Sequence, residues 1–209
     1  HQRAEAAAAV LNKAEALIIA PTLANVLGQI VPTIVPERIM DEGRIFIGNL
    51  AKGPLGETTA RLLGALLMAS FDLAARRRAS RPEAERRDFT LYADEFPNFV
   101  NERVASLLSE ARKYRLALVL AAQYTAALPP ATRAAIFGNV GSVIAFRLGD
   151  EDAEAVGRML DWAPITLREL GRGEVVVRVA HGGEVSNALP GSIVPDSIGG
   201  AGRGANVRQ

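Results

Sequence analysis

The chain has no cysteine and only two histidines, His1 and His181, in 209 residues. Without thiols no disulfide framework can form, and a zinc site has almost no ligands to draw on. Lysine is scarce too: of 24 basic residues only Lys13, Lys52 and Lys113 are Lys, and the other 21 are Arg. Together with the abundance of Ala, this bias reads as genome composition. Aromatic residues make up 5% of the chain, which gives little support to a base-stacking platform. Charge of one sign is missing as well. The formal net charge is +1, which argues against coating nucleic acid by bulk electrostatics. No long apolar run is present: Leu62–Ala69 and Leu116–Ala122 fall far short of the roughly 18–20 residues that span a bilayer. No secretory apolar region opens the chain. What is present is 49% hydrophobic residues, in a length that suits one domain with a substantial core.

The pattern along the chain alternates helix and strand. Residues 1–19 are rich in Ala and Glu and read as a helix stopped near Pro21. A short helical piece over Thr22–Leu27 ends at Gly28, and Pro36 opens another turn through Asp41. Gly43 releases the chain into Arg44–Leu50, whose alternation of β-formers predicts a strand. Thr59, Leu62, Leu63, Leu66, Leu67, Ser70, Leu73 and Ala74 then keep helical spacing on one expected buried face. That helix ends in Arg76-Arg77-Arg78, favourable at a C-terminus, and Ser80–Asp88 is a charged surface connection. Phe89–Ala93 reads as a short strand running into Asp94-Glu95. A helix follows from Asn101 to Tyr114, with Val104, Leu107, Leu108 and Ala111 inward. Leu116–Ala122 is uniformly apolar, as in a parallel strand covered on both faces.

Further on, Pro130–Phe137 reads as a helix, Ser142–Leu148 as a strand and Glu151–Leu160 as a helix. Gly173–Ala180 and Glu184–Ala188 flank a hairpin candidate at His181-Gly182-Gly183. From Pro190 the chain is Gly-rich, and disorder is expected over 190–209. The expected fold is α/β: a mainly parallel sheet with helices on both faces, spanning residues 1–189 as one domain.

Three polar features fall at element ends, where open α/β sheets bind ligands. Asp94 and Glu95 close an apolar strand. Nucleotide hydrolases use such a pair to hold magnesium with one acid and to activate water with the next. The bland alternative is an acidic turn after a strand. Gln123 ends the next apolar strand, 28 residues after Glu95; its carboxamide can donate to a phosphate or orient a water, or merely close the strand. Arg112 ends the intervening helix, one helical step from Leu108 at the edge of the buried stripe. It could be presented to a nucleotide in a neighbouring subunit, or it could satisfy the helix C-terminus.

Asn49–Thr58 (NLAKGPLGET) mixes Gly, Lys and Thr after a strand, but it is not a phosphate loop. That motif is G-x-x-x-x-G-K-[ST], and none of the three lysines follows a Gly. Gly53-Pro54 reads as a turn, with Glu57 near the start of the long helix; whether this loop touches a ligand is open.

The ordered set LYADEFPNF, SLLSEARKYRLALVLAAQY and FGNVGSVIAFRLGDEDA resembles the TraG/TraD coupling proteins of conjugative type IV secretion, within the FtsK/HerA group of RecA-like motor ATPases. Upstream, EGRIFIGNLAKGPLGETTARLLGALL is similar to the same group, so the resemblance covers about residues 36–160. It implies a RecA-like core binding ATP and Mg²⁺, with Asp94 as the Walker B magnesium carboxylate and Glu95 as the catalytic base. Gln123 matches the γ-phosphate-sensing glutamine, and Arg112 an arginine acting across a subunit interface. Arg147 is a weaker interface candidate, and Asn139 is expected to cap a turn, with no catalytic role implied.

Members of the family form hexameric rings around DNA, often anchored to the inner membrane by an N-terminal helix pair. By the resemblance, DNA would be contacted by loops at the ring's centre, with secretion-channel or relaxosome proteins as further partners. The location would be cytoplasmic, at the inner membrane's cytoplasmic face in a full-length protein. By the resemblance, the lack of a Walker A sequence and of an anchor would make this chain the C-terminal part of such a motor, expected to be inactive alone. Two alternatives share these residues: a HerA-like DNA-processing or defence ATPase, and a non-catalytic docking module for secretion or relaxosome proteins.

Overall fold

The structure, a computed structural model, describes residues 21–100, 102–126 and 128–194, with only the backbone of residues 102, 103 and 105. The helix expected over residues 1–19 and the tail from residue 195 lie outside the described residues. The chain divides into two compact units, residues 1–139 and 140–209.

In the first unit, α1 (Pro21–Leu27) and α2 (Pro36–Asp41) form where Pro occupies the first helical turn. Gly43 follows α2 with φ of +66°, and a Cβ there would lie 2.1 Å from the Arg87 guanidinium carbon. The positive φ is what favours glycine here, since the Arg87 guanidinium is the end of a flexible side chain.

Residues 44–50 depart from the expected strand: they join no sheet. Their alternation is nonetheless expressed. Ile45 and Ile47 are exposed, while Phe46 packs inward with its ring centroid 6.0 Å from that of Phe71. Side-chain burial holds this segment without a backbone ladder.

After the short turn α3 (Lys52–Leu55) comes α4 (Glu57–Arg77), the longest helix among the described residues. Its buried stripe runs through Ala60, Leu63, Gly64, Met68, Phe71, Ala74 and Ala75. That is a rotation from the expected face, because Ser70 and Leu73 lie exposed. The large side chains Met68 and Phe71 define the inward direction, and Ala and Gly beside them allow close approach. By length and composition α4 could cross a membrane. However, its stripe packs into the unit's core and it carries buried Asp72.

The three arginines at the end of α4 tie elements together. Arg76 bonds Asp72 at 2.9 Å and reaches Glu110 at 2.8 Å. Burial works against the Arg76 charge, but Asp72 and Glu110 outweigh it and raise the guanidinium above its ordinary value. Arg77 pairs with Glu37. Arg78 is buried against Asp41 and donates to the Arg87 carbonyl at 2.9 Å.

β1 (Phe89–Ala93) and β2 (Leu116–Leu120) pair in parallel, from Phe89 opposite Leu116 to Ala93 opposite Leu120. Between them runs α5 (Glu102–Glu110), which tightens into a 3₁₀ turn over Ala111–Tyr114. Phe89, Leu91, Leu116, Leu118 and Leu120 face the core. Tyr92 and Val119 are exposed on the other side, so among the described residues β2 is covered on one face, not both. The unit closes with α6 (Pro130–Asn139), packed on α5.

The second unit holds β3 (Val143–Ala145), α7 (Asp150–Leu160), α8 (Pro164–Glu169), β4 (Glu174–Arg178), β5 (Ala180–His181), β6 (Glu184–Val185) and β7 (Leu189–Ser192). β3, β4 and β7 form an antiparallel sheet in that order, around buried Ala145, Val175 and Val176. The expected hairpin forms, with β5 and β6 joined by Gly182-Gly183, both at positive φ.

Two expectations are corrected here. Residues 190–192 are not disordered: they belong to an edge strand, where Pro190 removes no needed donor. And the sheet is not mainly parallel: among the described residues one strand pairing is parallel and three are antiparallel. The fold is mixed α/β with a small parallel pair.

Candidate active site

The site sits at the carboxyl end of the parallel pair, in the first unit. The two strands do not splay as they end. The Ala121 N–H donates to the Ala93 carbonyl at 2.9 Å, and the Phe96 N–H to the Ala121 carbonyl at 3.1 Å. These bonds carry the ladder beyond β1 and β2 and fix the two exit turns side by side.

Glu95 turns the chain. It adopts a left-handed conformation, φ 51° and ψ 37°, before a 3₁₀ turn over Phe96–Phe99. For a residue with a Cβ this costs on the order of 1 kcal/mol and must be held by its surroundings. Three contacts hold it. The Glu95 N–H donates to Asp94 Oδ1 at 3.0 Å; the Asn98 backbone N–H and side-chain Nδ2 both donate to the Glu95 carbonyl at 3.0 Å.

The left-handed turn aims the Glu95 carboxylate toward β2, where Gln123 Nε2 donates to Glu95 Oε1. Two residues 28 apart in sequence are therefore in direct contact. Asp94 is exposed beside them. The adjacent acids diverge: Asp94 is exposed, and Glu95 faces the carboxamide.

Asp94, Glu95 and Gln123 line the mouth of a cavity of about 770 Å³ between residues 46–52, α4 and β1. Phe46, Met68, Phe71 and Phe89 form its apolar wall. The volume suits a small molecule with an apolar body and a few placed polar contacts. Among the described residues no cluster of three His, Asp or Glu side chains could hold a metal. Magnesium does not require one: it is commonly held by one or two carboxylates plus substrate phosphates, and Asp94 offers such an oxygen.

Arg112 does not join this group. It lies exposed in the 3₁₀ turn before β2, at the opposite end of the parallel strands from Gln123, and not at the edge of a buried stripe. The α-helix ends at Glu110, which ends the 3.6-residue periodicity that placed Arg112 near Leu108. Five residues of β2 separate the two ends, roughly 16 Å at strand rise. Asn139 closes α6, its side chain donating to the Ala135 carbonyl at 2.7 Å. Arg147 is exposed in the second unit, beyond the end of β3.

Sequence reasoning missed two residues. Asn98 is the clamp on Glu95, and Lys52 Nζ donates to Asn98 Oδ1 at 3.1 Å across 46 residues of sequence. The only signal was Lys52 in a Gly-containing loop after an apolar segment, and the test for a phosphate loop set it aside. No model of a known protein family matches the chain, and no curated protein does.

Proposed function

We propose that this chain is the C-terminal part of a RecA-like motor ATPase that couples ATP hydrolysis to DNA transfer in conjugative type IV secretion. The observation that carries the reading is the contact between Glu95 and Gln123 at the carboxyl ends of adjacent parallel strands, beside Asp94 and a cavity. Water activation needs a carboxylate that is oriented yet reachable, with a neutral group beside it able to respond to a phosphate.

In this reading Asp94 would hold Mg²⁺, which would supply charge neutralisation for the phosphates of bound ATP. Glu95 accepts the proton of the attacking water. Gln123 keeps Glu95 pointed at the site and exchanges that bond for one to the γ-phosphate. Arg112, at the far end of the strands, cannot serve its own site and is assigned to the neighbouring subunit of a hexameric ring. DNA contacts belong to loops at the ring's centre, since the chain's net charge is only +1. In this reading the phosphate-cradling loop comes from a segment outside these 209 residues, because the chain has no G-x-x-x-x-G-K-[ST] sequence. The motor would work in the cytoplasm, at the inner membrane's cytoplasmic face, with secretion-channel or relaxosome proteins as partners.

The test is Glu95→Gln in the full-length protein, which keeps the shape and removes the base. ATP turnover should fall by about 10²–10⁴-fold, with nucleotide binding retained. Unchanged turnover would refute Glu95 as the base, and unchanged DNA transfer would favour a docking module.

A further inference from the structure

The Asn49–Thr58 loop has no part in the chemistry above, yet it delivers a charge to the site. Asn49 Oδ1 accepts the Ala51 N–H at 3.1 Å, and the Gly56 N–H closes on the Lys52 carbonyl at 2.8 Å, so the loop is a built mount. Lys52 is the single cation among the residues lining the cavity, which also carries Asp94 and Glu95. Its ammonium does not pair with either acid through any described bond; it donates to Asn98 Oδ1 at 3.1 Å.

That choice of partner has a chemical consequence. A carboxamide has one accepting end and one donating end, and the two can be exchanged by a half-turn. An ammonium can only donate. Lys52 therefore fixes Oδ1 toward itself and leaves Nδ2 facing the Glu95 carbonyl, where it donates at 3.0 Å. With the amide turned over, two oxygens would face each other at Glu95 and the side-chain part of the clamp would be lost, leaving the Asn98 backbone N–H and Asp94 to hold the turn. The positive charge also polarises the amide and strengthens the Nδ2 bond.

We propose that Lys52 is a positioning residue for Glu95, acting through the orientation of the Asn98 carboxamide. Its place in turnover rests on the ATPase reading above; its effect on the turn does not. In this role Lys52 acts through Asn98 and transfers no proton.

The experiment uses the full-length protein with Lys52→Arg, Lys52→Met, Lys52→Glu, Asn98→Ala and the Lys52→Met/Asn98→Ala double variant, beside Glu95→Gln. Amide hydrogen exchange without nucleotide follows the Asn98 N–H, and steady-state kinetics follows ATP. Lys52→Met should speed exchange at Asn98 by about three- to tenfold and lower kcat by a similar factor with KM unchanged. Lys52→Arg should restore both, and Lys52→Glu should be worse than Met because it favours the turned-over amide. The double variant should match Asn98→Ala alone, since the two residues act in one chain.

Wild-type exchange and kcat in Lys52→Met, with turnover lost in Glu95→Gln, would overturn the inference and leave the ATPase reading standing. A raised KM at unchanged kcat would also overturn it, by making Lys52 a nucleotide contact. Full turnover in Glu95→Gln would instead overturn the assignment of Glu95 as the base and, with it, the catalytic part of this inference. The exchange series would still decide whether Lys52 holds the turn.

Discussion

Gly64 lies in the middle of α4, where glycine is a poor helix residue, and Gly64→Ala would ordinarily raise helix stability by about 0.8–1.0 kcal/mol. The packing works against that gain. A Cβ at residue 64 would stand 2.1, 2.5 and 2.7 Å from ring carbons of Phe99, where van der Waals contact begins beyond 3.4 Å. Phe99 is only half-buried and can yield in part. Overpacking of this kind costs roughly 1–3 kcal/mol. Subtracting the helix gain leaves a net loss of about 0–2 kcal/mol, so the expected stabilisation is at least cancelled.

The loss should not be confined to stability, because Phe99 ends the 3₁₀ turn that follows Glu95. Urea denaturation followed by far-UV circular dichroism measures it. Trp162, the chain's one tryptophan, reports the second unit separately. Repeating Gly64→Ala in a Phe99→Ala background removes the obstacle, and the substitution should then stabilise by about 1 kcal/mol. Stabilisation by Gly64→Ala with Phe99 intact would refute the packing argument.

Two further outcomes follow from the ion pairs. Arg76→Ala should cost about 1–3 kcal/mol in urea denaturation, because it strands the nearly buried Asp72 carboxylate and cuts the link from α4 to Glu110. Adding Asp72→Ala should recover part of that loss, and no recovery would show that the stranded charge is not the cause. At Glu42, hydrogen bonds from Arg38 and then Arg44 hold the carboxyl below its ordinary value. Its contribution is therefore present above the unfolded pKa and fades as the pH falls through the depressed folded value. Glu42→Gln should be less stable than wild type at neutral pH and equal to it in strong acid. The gap should shrink at about 1 M salt because the group is exposed; a gap that persists in acid would refute the assignment.

How much of this was legible in sequence depended on whether a feature is local. Phe89–Ala93, the helices after Pro36 and Pro130, and the Gly182-Gly183 hairpin announce themselves through turn chemistry and periodicity, and they form. The pairing partner of a strand is not local. Arg44–Leu50 shows strand alternation and buries Phe46 accordingly, but alternation says nothing about whether a neighbour supplies a ladder. The same limit applies to LALVLAA. Its composition allows burial on both faces, yet Val119 faces solvent because no element among the described residues covers it. β7 is the reverse case: Pro190 and Gly191 read as unstructured, while an edge strand tolerates both.

At the site, Asp94, Glu95 and Gln123 were readable because each sits where an apolar run stops, and parallel register does the rest. Lys52 and Asn98 were not. Their meeting depends on a left-handed residue at 95 and on which way one amide points, and neither leaves a trace in spacing or composition. The strand-end acids are thus fixed by local pattern, whereas the groups that aim them are fixed by tertiary packing. Mutations guided by motif alone would test Asp94 and Glu95 and pass over the lysine that orients the clamp on Glu95.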